Sequence, residues 1–135
     1  MPDFLKLIGY WQEDKTAWMH PSKYVNPNWK VEDKSQIIQY LNKGVPLFAF
    51  LGVSHCRFDC GIDDVAMGHR ELTDGEWIWP EGLAHYVEYH SVKLPDQFII
   101  TIKANTFHVP NDLDTEALFE VPKSYEFWKS WCGIK

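Results

Sequence analysis

The sequence predicts an α+β domain, a small and mainly antiparallel sheet with helices packed on one side, and three observations carry the prediction. Apolar residues recur at helical spacing in two separated stretches, 31–43 and 80–90. An uninterrupted apolar run, Leu47–Val53, reads as a strand. Between the run and the second periodic stretch, Arg70–Trp79 turns at Asp74-Gly75, the residue pair that two-residue hairpins favour. Mixed elements in this order place helices against an antiparallel sheet. With 135 residues the chain matches the ~100–150 that one hydrophobic core usually serves, so residues 1–135 read as a single domain.

Taken in order, Phe4–Trp11 is apolar but too short for its periodicity to choose between helix and strand. His20-Pro21 and Asn26-Pro27-Asn28 mark a loop, because proline pushes the preceding residue out of the α region. A helix is expected over Val31–Lys43, with Ile37, Ile38 and Leu41 on one stripe, Glu32 and Asp33 in the first turn, and Lys43-Gly44 at its end. Leu47–Val53 follows as a buried strand, then a loop from Ser54 to Gly68. A type I′ turn at Asp74-Gly75 would set Leu72 opposite Trp77 and Arg70 opposite Trp79, with the guanidinium across the indole. Pro80 suits the first position of a helix whose inner face is Leu83, Tyr86, Val87 and His90, leaving Glu81, His85 and Glu88 on another face. Pro95–Lys103 fits a helix or, through Ile99–Ile102, a strand. The tail, Lys123–Trp131, reads as a short helix carrying Tyr125, Trp128 and Trp131.

Composition excludes several classes of function. At 45% hydrophobic and 16% aromatic residues the chain buries too much apolar surface to be disordered. Its longest apolar run, Val45–Val53, falls well short of the ~18 residues of a membrane span. Asp3 stands where a signal peptide carries basic residues, so a cytoplasmic protein with no membrane partner is expected. Three cysteines, Cys56, Cys60 and Cys132, are an odd number, and reduced thiols are the expectation.

A net charge of -6 argues against nucleic acid as a partner. The excess is local: residues 54–90 hold eight acids and two bases, whereas the remainder holds 11 of each. The same stretch carries His55, His69, His85, His90, Cys56, Cys60 and both arginines. The preferred reading is therefore a non-catalytic binding module. Arg70, Asp74, Glu76, Trp79, Glu81 and His85 form its expected surface, the carboxylates steering a basic protein or small cationic ligand and a partly exposed Trp79 anchoring it.

Two kinds of chemistry stand as alternatives. Cys56-x3-Cys60 and His85-x4-His90 have the spacings of a Cys2His2 zinc site, which makes zinc the candidate cofactor. On a continuous helix, however, residues five apart point about 140° away from each other, so both histidines bind only if the helix frays before His90. The other alternative is a small metal- or thiol-dependent enzyme using Cys56, His69 and His85, in which a neighbouring cation favours the Cys56 thiolate. Glu81, His85 and Glu88, on one helical face, would make an acid–histidine–acid array. Gly52-Val53-Ser54-His55-Cys56 resembles a nucleophile elbow but lacks its closing glycine and the helix after it. No phosphate loop, His-Glu-x-x-His or calcium-loop motif occurs, and no catalytic residue is assigned.

Three islands, Cys56-Arg57-Phe58, Leu72-Thr73-Asp74-Gly75-Glu76-Trp77-Ile78-Trp79-Pro80-Glu81-Gly82-Leu83-Ala84-His85-Tyr86-Val87 and Leu94-Pro95-Asp96-Gln97-Phe98, resemble a group of small bacterial proteins of uncharacterised activity. The resemblance spans residues 37–98 and implies a standalone bacterial domain; it transfers no catalytic residue.

Overall fold

The computed structural model describes residues 2–11, 20–28, 33–49 and 55–133, the side chain of residue 65 aside. It is an α+β arrangement built on one five-stranded mixed sheet. The strands are β1 (Leu5–Leu7), β2 (Val45–Ala49), β3 (Arg70–Thr73), β4 (Trp77–Pro80) and β5 (Lys123–Ser124), in the spatial order β2-β3-β4-β1-β5. The first three neighbours form an antiparallel meander; β1 and β5 extend it in parallel. The helices are α1 (Lys34–Asn42), α2 (Asp64–Met67), α3 (Leu83–His90), α4 (Asp96–Ala104), α5 (Thr115–Glu120) and α6 (Glu126–Trp131). No helix among the described residues is long and apolar enough to cross a membrane.

Strand β4 explains the layering. Trp77 and Trp79 point to one face, where they meet Ile37 and Leu41 of α1, Leu83 and Val87 of α3, Phe98 and Ile102 of α4, and Trp128 of α6. Ile78 points the other way, into a smaller cluster with Leu5 and Leu118 that α5 covers. A strand that alternates in this way and is buried on both faces belongs at the centre of a sheet. The indoles also satisfy their N–H groups, Trp79 Nε1 on the Leu41 carbonyl at 3.0 Å and Trp77 Nε1 on Thr101 Oγ1 at 3.0 Å. Gly44, after α1, permits the closest approach: a Cβ there would lie 2.6 Å from Trp79 Cζ2 and 2.7 Å from Leu72 Cβ.

The hairpin forms with its turn one residue later than the sequence suggests. Leu72 pairs with Trp79 and Thr73 with Ile78, and the Asp74 N–H donates to the Trp77 carbonyl at 3.4 Å, so the two-residue loop is Gly75-Glu76. Only Gly75, at φ +94°, is left-handed, which is the type II′ pattern rather than type I′. The Asp74 carboxylate drives the shift: its Oδ1 accepts the N–H groups of Glu76 at 2.9 Å and Trp77 at 2.8 Å. Arg70 is consequently opposite Glu81, not Trp79, and no guanidinium lies over the indole.

Other boundaries move for similar reasons. Pro80 ends β4 instead of starting a helix, because the Glu81 N–H donates to the Arg70 carbonyl at 2.9 Å and continues the ladder; α3 begins at Leu83. Pro95–Lys103 is helical, with Asp96 in the first turn of α4. The tail divides into β5 and α6. Strand β2 is half-exposed rather than fully buried, since among the described residues it has β3 on one side only. Val31, Glu32, the end of the apolar run at 50–53, and Gly52-Val53-Ser54 of the elbow-like motif lie outside the described residues.

Candidate metal centre

Cys56, Cys60, His85 and His90 converge, each presenting one ligand atom within 4.8 Å of the others. Cys56 Sγ lies 3.7 Å from Cys60 Sγ and 3.6 Å from His90 Nε2; Cys60 Sγ lies 3.4 Å from His85 Nε2; the two Nε2 atoms are 3.2 Å apart. The four lie close enough to bind a metal ion. Cys56 is buried and Cys60 exposed, so the group sits at the surface with one side closed by the core.

The last turn of α3 widens beside the two histidines. The Ser91 N–H donates to the Tyr86 carbonyl five residues back, and the Val92 N–H donates to the same carbonyl at 3.1 Å. α3 runs through His90 without fraying, and the reach of the two imidazoles, whose centroids stand 4.9 Å apart, brings their Nε2 atoms together beside this wide helix end. Ser91, at φ 53° and ψ 34° in the left-handed region, ends the helix directly behind His90. Beyond it, Val92 forms an antiparallel bridge with Val25, and the Asn26 N–H donates to the Ser91 carbonyl at 3.0 Å.

The cysteines sit on a tight loop. The Asp59 N–H donates to the Cys56 carbonyl at 3.1 Å, with Asp59 at φ 51° and Gly61 at φ +89°. Burial pushes the Cys56 thiol up from its ordinary value, opposed by backbone N–H groups of Phe58 and Cys60 that point at its sulfur and favour the thiolate. Several residues hold the loop down. The Arg57 N–H donates to the Tyr86 hydroxyl at 2.9 Å, and that hydroxyl donates to the His55 carbonyl at 3.3 Å. The Arg57 side chain donates to the Trp11 carbonyl at 3.2 Å and also to the His55 carbonyl. Buried His20 accepts the Ser22 N–H on Nδ1 at 3.1 Å, which leaves Nε2 to donate to the Arg57 carbonyl at 3.3 Å.

Ring packing orients the imidazoles. Phe58 stacks on His90 with centroids 4.3 Å apart and planes 20° apart, and Tyr89 lies 5.2 Å from His85. His85 Nδ1 is buried without a hydrogen-bond partner among the described residues, where ring packing orients it. Burial pulls both imidazoles below their ordinary pKa, with the His85 shift reinforced by His90, and both are therefore neutral near pH 7 as ligands require.

The residues expected to make a binding surface are dispersed. Trp79 is 0% exposed and occupies the core, so it presents nothing to a partner. Asp74 is buried and accepts the Tyr40 hydroxyl at 2.6 Å. Glu76 faces Lys6 at 3.5 Å and accepts Thr101 Oγ1 at 3.0 Å. Arg70 and Glu81 pair at 2.8 Å at the far end of the hairpin, and His85 belongs to the metal group. Because Glu81 lies in the β4–α3 connection, Glu81, His85 and Glu88 share no helical face. His69 is exposed and outside the Cys56 group. The sequence reading missed His20, Phe58 and Ser91; only the Cys56-Arg57-Phe58 island drew notice to one of them. Comparison with family models, with curated proteins and with solved structures finds no match.

Proposed function

We propose that this protein is a zinc-binding domain whose metal is structural, joining the 55–62 loop to the C-terminal turn of α3. One observation carries the reading. A tetrahedral zinc with bonds of about 2.3 Å to sulfur and about 2.05 Å to nitrogen has edges of about 3.8 Å between sulfurs, about 3.6 Å between sulfur and nitrogen, and about 3.3 Å between nitrogens. Four of the six edges stand at 3.7 Å, at 3.6 and 3.4 Å, and at 3.2 Å respectively, and the other two, Cys56 to His85 and Cys60 to His90, lie within 4.8 Å, so the side chains need only close along those diagonals to surround the metal. Two thiolates and two imidazoles suit zinc, and four protein ligands leave no position for a substrate. Purified protein is expected to hold about one zinc per chain and to melt at a lower temperature after chelation. Metal-free protein whose melting ignores the chelator would defeat the reading.

A second reading, a binding module, rests on residues other than those the sequence suggested. Asp59, Asp63, Asp64 and Glu88 are exposed, and Tyr89, 69% exposed, stands beside His85. Exposed carboxylates together with an exposed aromatic favour a basic protein or cationic ligand. Association with such a partner is expected to slow with added salt and with Asp64→Lys plus Glu88→Lys; a rate indifferent to both removes this reading.

A further inference from the structure

We propose that Cys60 is a modification site for small neutral hydroperoxides, and that its oxidation ejects the metal by joining Cys60 to Cys56. The proposal rests on the zinc reading above. Five observations support it. Cys60 is exposed whereas Cys56 is buried, so an oxidant meets Cys60 first. The second sulfur waits 3.7 Å away. A recess of about 230 Å³, lined by His55, Cys56, Asp59, Cys60, Gly61 and Ile62, opens beside the two sulfurs. Among the described residues nothing lies within 4 Å of the position a Cβ would take on Gly61, so the loop is open on that side as the sulfurs close to the ~2.05 Å of a disulfide. The segment 59–64 holds three acids and no base, which favours an uncharged oxidant over an anionic disulfide.

The chemistry balances as follows. The Cys60 thiolate attacks one oxygen of the hydroperoxide; the O–O bond breaks, leaving Cys60 as sulfenic acid and releasing hydroxide or alkoxide, which takes a proton from water. The Cys56 thiolate then attacks the Cys60 sulfur, forming the S–S bond and expelling hydroxide. Two thiolates have lost two electrons to the O–O bond. With hydrogen peroxide and two protons, the products are one disulfide and two waters. The metal is left with two imidazoles and departs.

The test treats zinc-loaded protein with one equivalent of hydrogen peroxide and follows both zinc, by a chromogenic chelator, and the thiols, by peptide mass mapping. Release of one zinc per chain with a Cys56–Cys60 disulfide is expected, reversed by a dithiol and added zinc. Buried Cys132 is not in the group, and Cys132→Ser is expected to leave the response unchanged. Retention of zinc at peroxide levels that oxidise the unfolded chain overturns the proposal, as does release with Cys60 halted at sulfinic acid and no bridge. A preparation that never holds zinc defeats the parent reading instead, and the failure or success of the disulfide in that metal-free protein then decides the thiol step by itself.

Discussion

His85 and His90 hold their Nε2 atoms 3.2 Å apart although five residues of one helix separate them, and Ser91 in the left-handed region ends that helix directly behind His90. A non-glycine residue there costs about 1–2 kcal/mol, and a β-branched residue more. Ser91→Gly is expected to raise stability by up to about 1 kcal/mol and to retain zinc. Ser91→Val is expected to weaken zinc binding about tenfold or more, read by competition against a chelator of known affinity. A valine variant that binds as tightly as the parent would show that the turn does not position His90.

His20 acts on the site from a distance, through the Arg57 carbonyl. Partners bonded directly to a metal ligand typically change metal affinity by about 10–100-fold, and His20, one residue removed from Cys56, is expected to act at or below the low end of that range. His20→Ala also leaves a buried acceptor short of its donor, at about 1–3 kcal/mol. Both a lower unfolding free energy and weaker zinc binding are expected. Loss of stability with zinc affinity intact would confine His20 to the fold.

Buried Tyr40 and Asp74 and half-buried Asn105 form a chain, Asn105 Nδ2 donating to the Tyr40 hydroxyl at 2.9 Å and that hydroxyl to Asp74. Asp74 in turn shapes the hairpin. Tyr40→Phe strands both polar neighbours and is expected to cost about 1–3 kcal/mol in denaturant unfolding. Trp79→Ala, which empties the middle of the core, is expected to cost about 3–5 kcal/mol. Near-native stability of either variant would contradict the placement described.

The Arg70–Glu81 pair sets an acid-side dependence. Burial raises the Glu81 carboxyl, but the hydrogen bond and charge of Arg70 outweigh it and hold the group below its ordinary value. A carboxyl depressed in the folded state adds stability that is full above the unfolded value, about 4.3, and is lost as pH falls through the folded one. The pair is partly exposed, so the effect is less than about 1 kcal/mol. Glu81→Gln is expected to flatten the fall in melting temperature below pH 5; parallel curves for parent and variant would refute the pairing.

The fold class was readable because periodicity survives in local sequence: Ile37, Ile38 and Leu41 announced α1, and the Asp-Gly pair announced a hairpin. The turn's register was not readable, because it depends on where the Asp74 carboxylate is drawn, and that is set by Tyr40, 34 residues away. The grouping of Cys56, Cys60, His85 and His90 was legible from spacing alone. Their convergence was hidden, since helical spacing places Cα atoms and not the reach of the imidazoles, and the chain's exit after Ser91 depends on Val92 bridging to Val25. Trp79 was misplaced because an aromatic flanked by acids looks the same in sequence whether its ring faces solvent or core.

The hairpin also has a role in time. Cys60 and His85 stand 25 positions apart along the chain, and β3 and β4 lie between them. A hairpin closes in microseconds and returns its two ends to one place. The two pairs of side chains are thereby brought to each other by a local event rather than by a search across a long open loop, whose closure entropy grows with its length. A metal held by these four side chains would then be captured late, on a chain already folded back on itself. Slowing the Gly75 turn would delay that capture without touching any of the four.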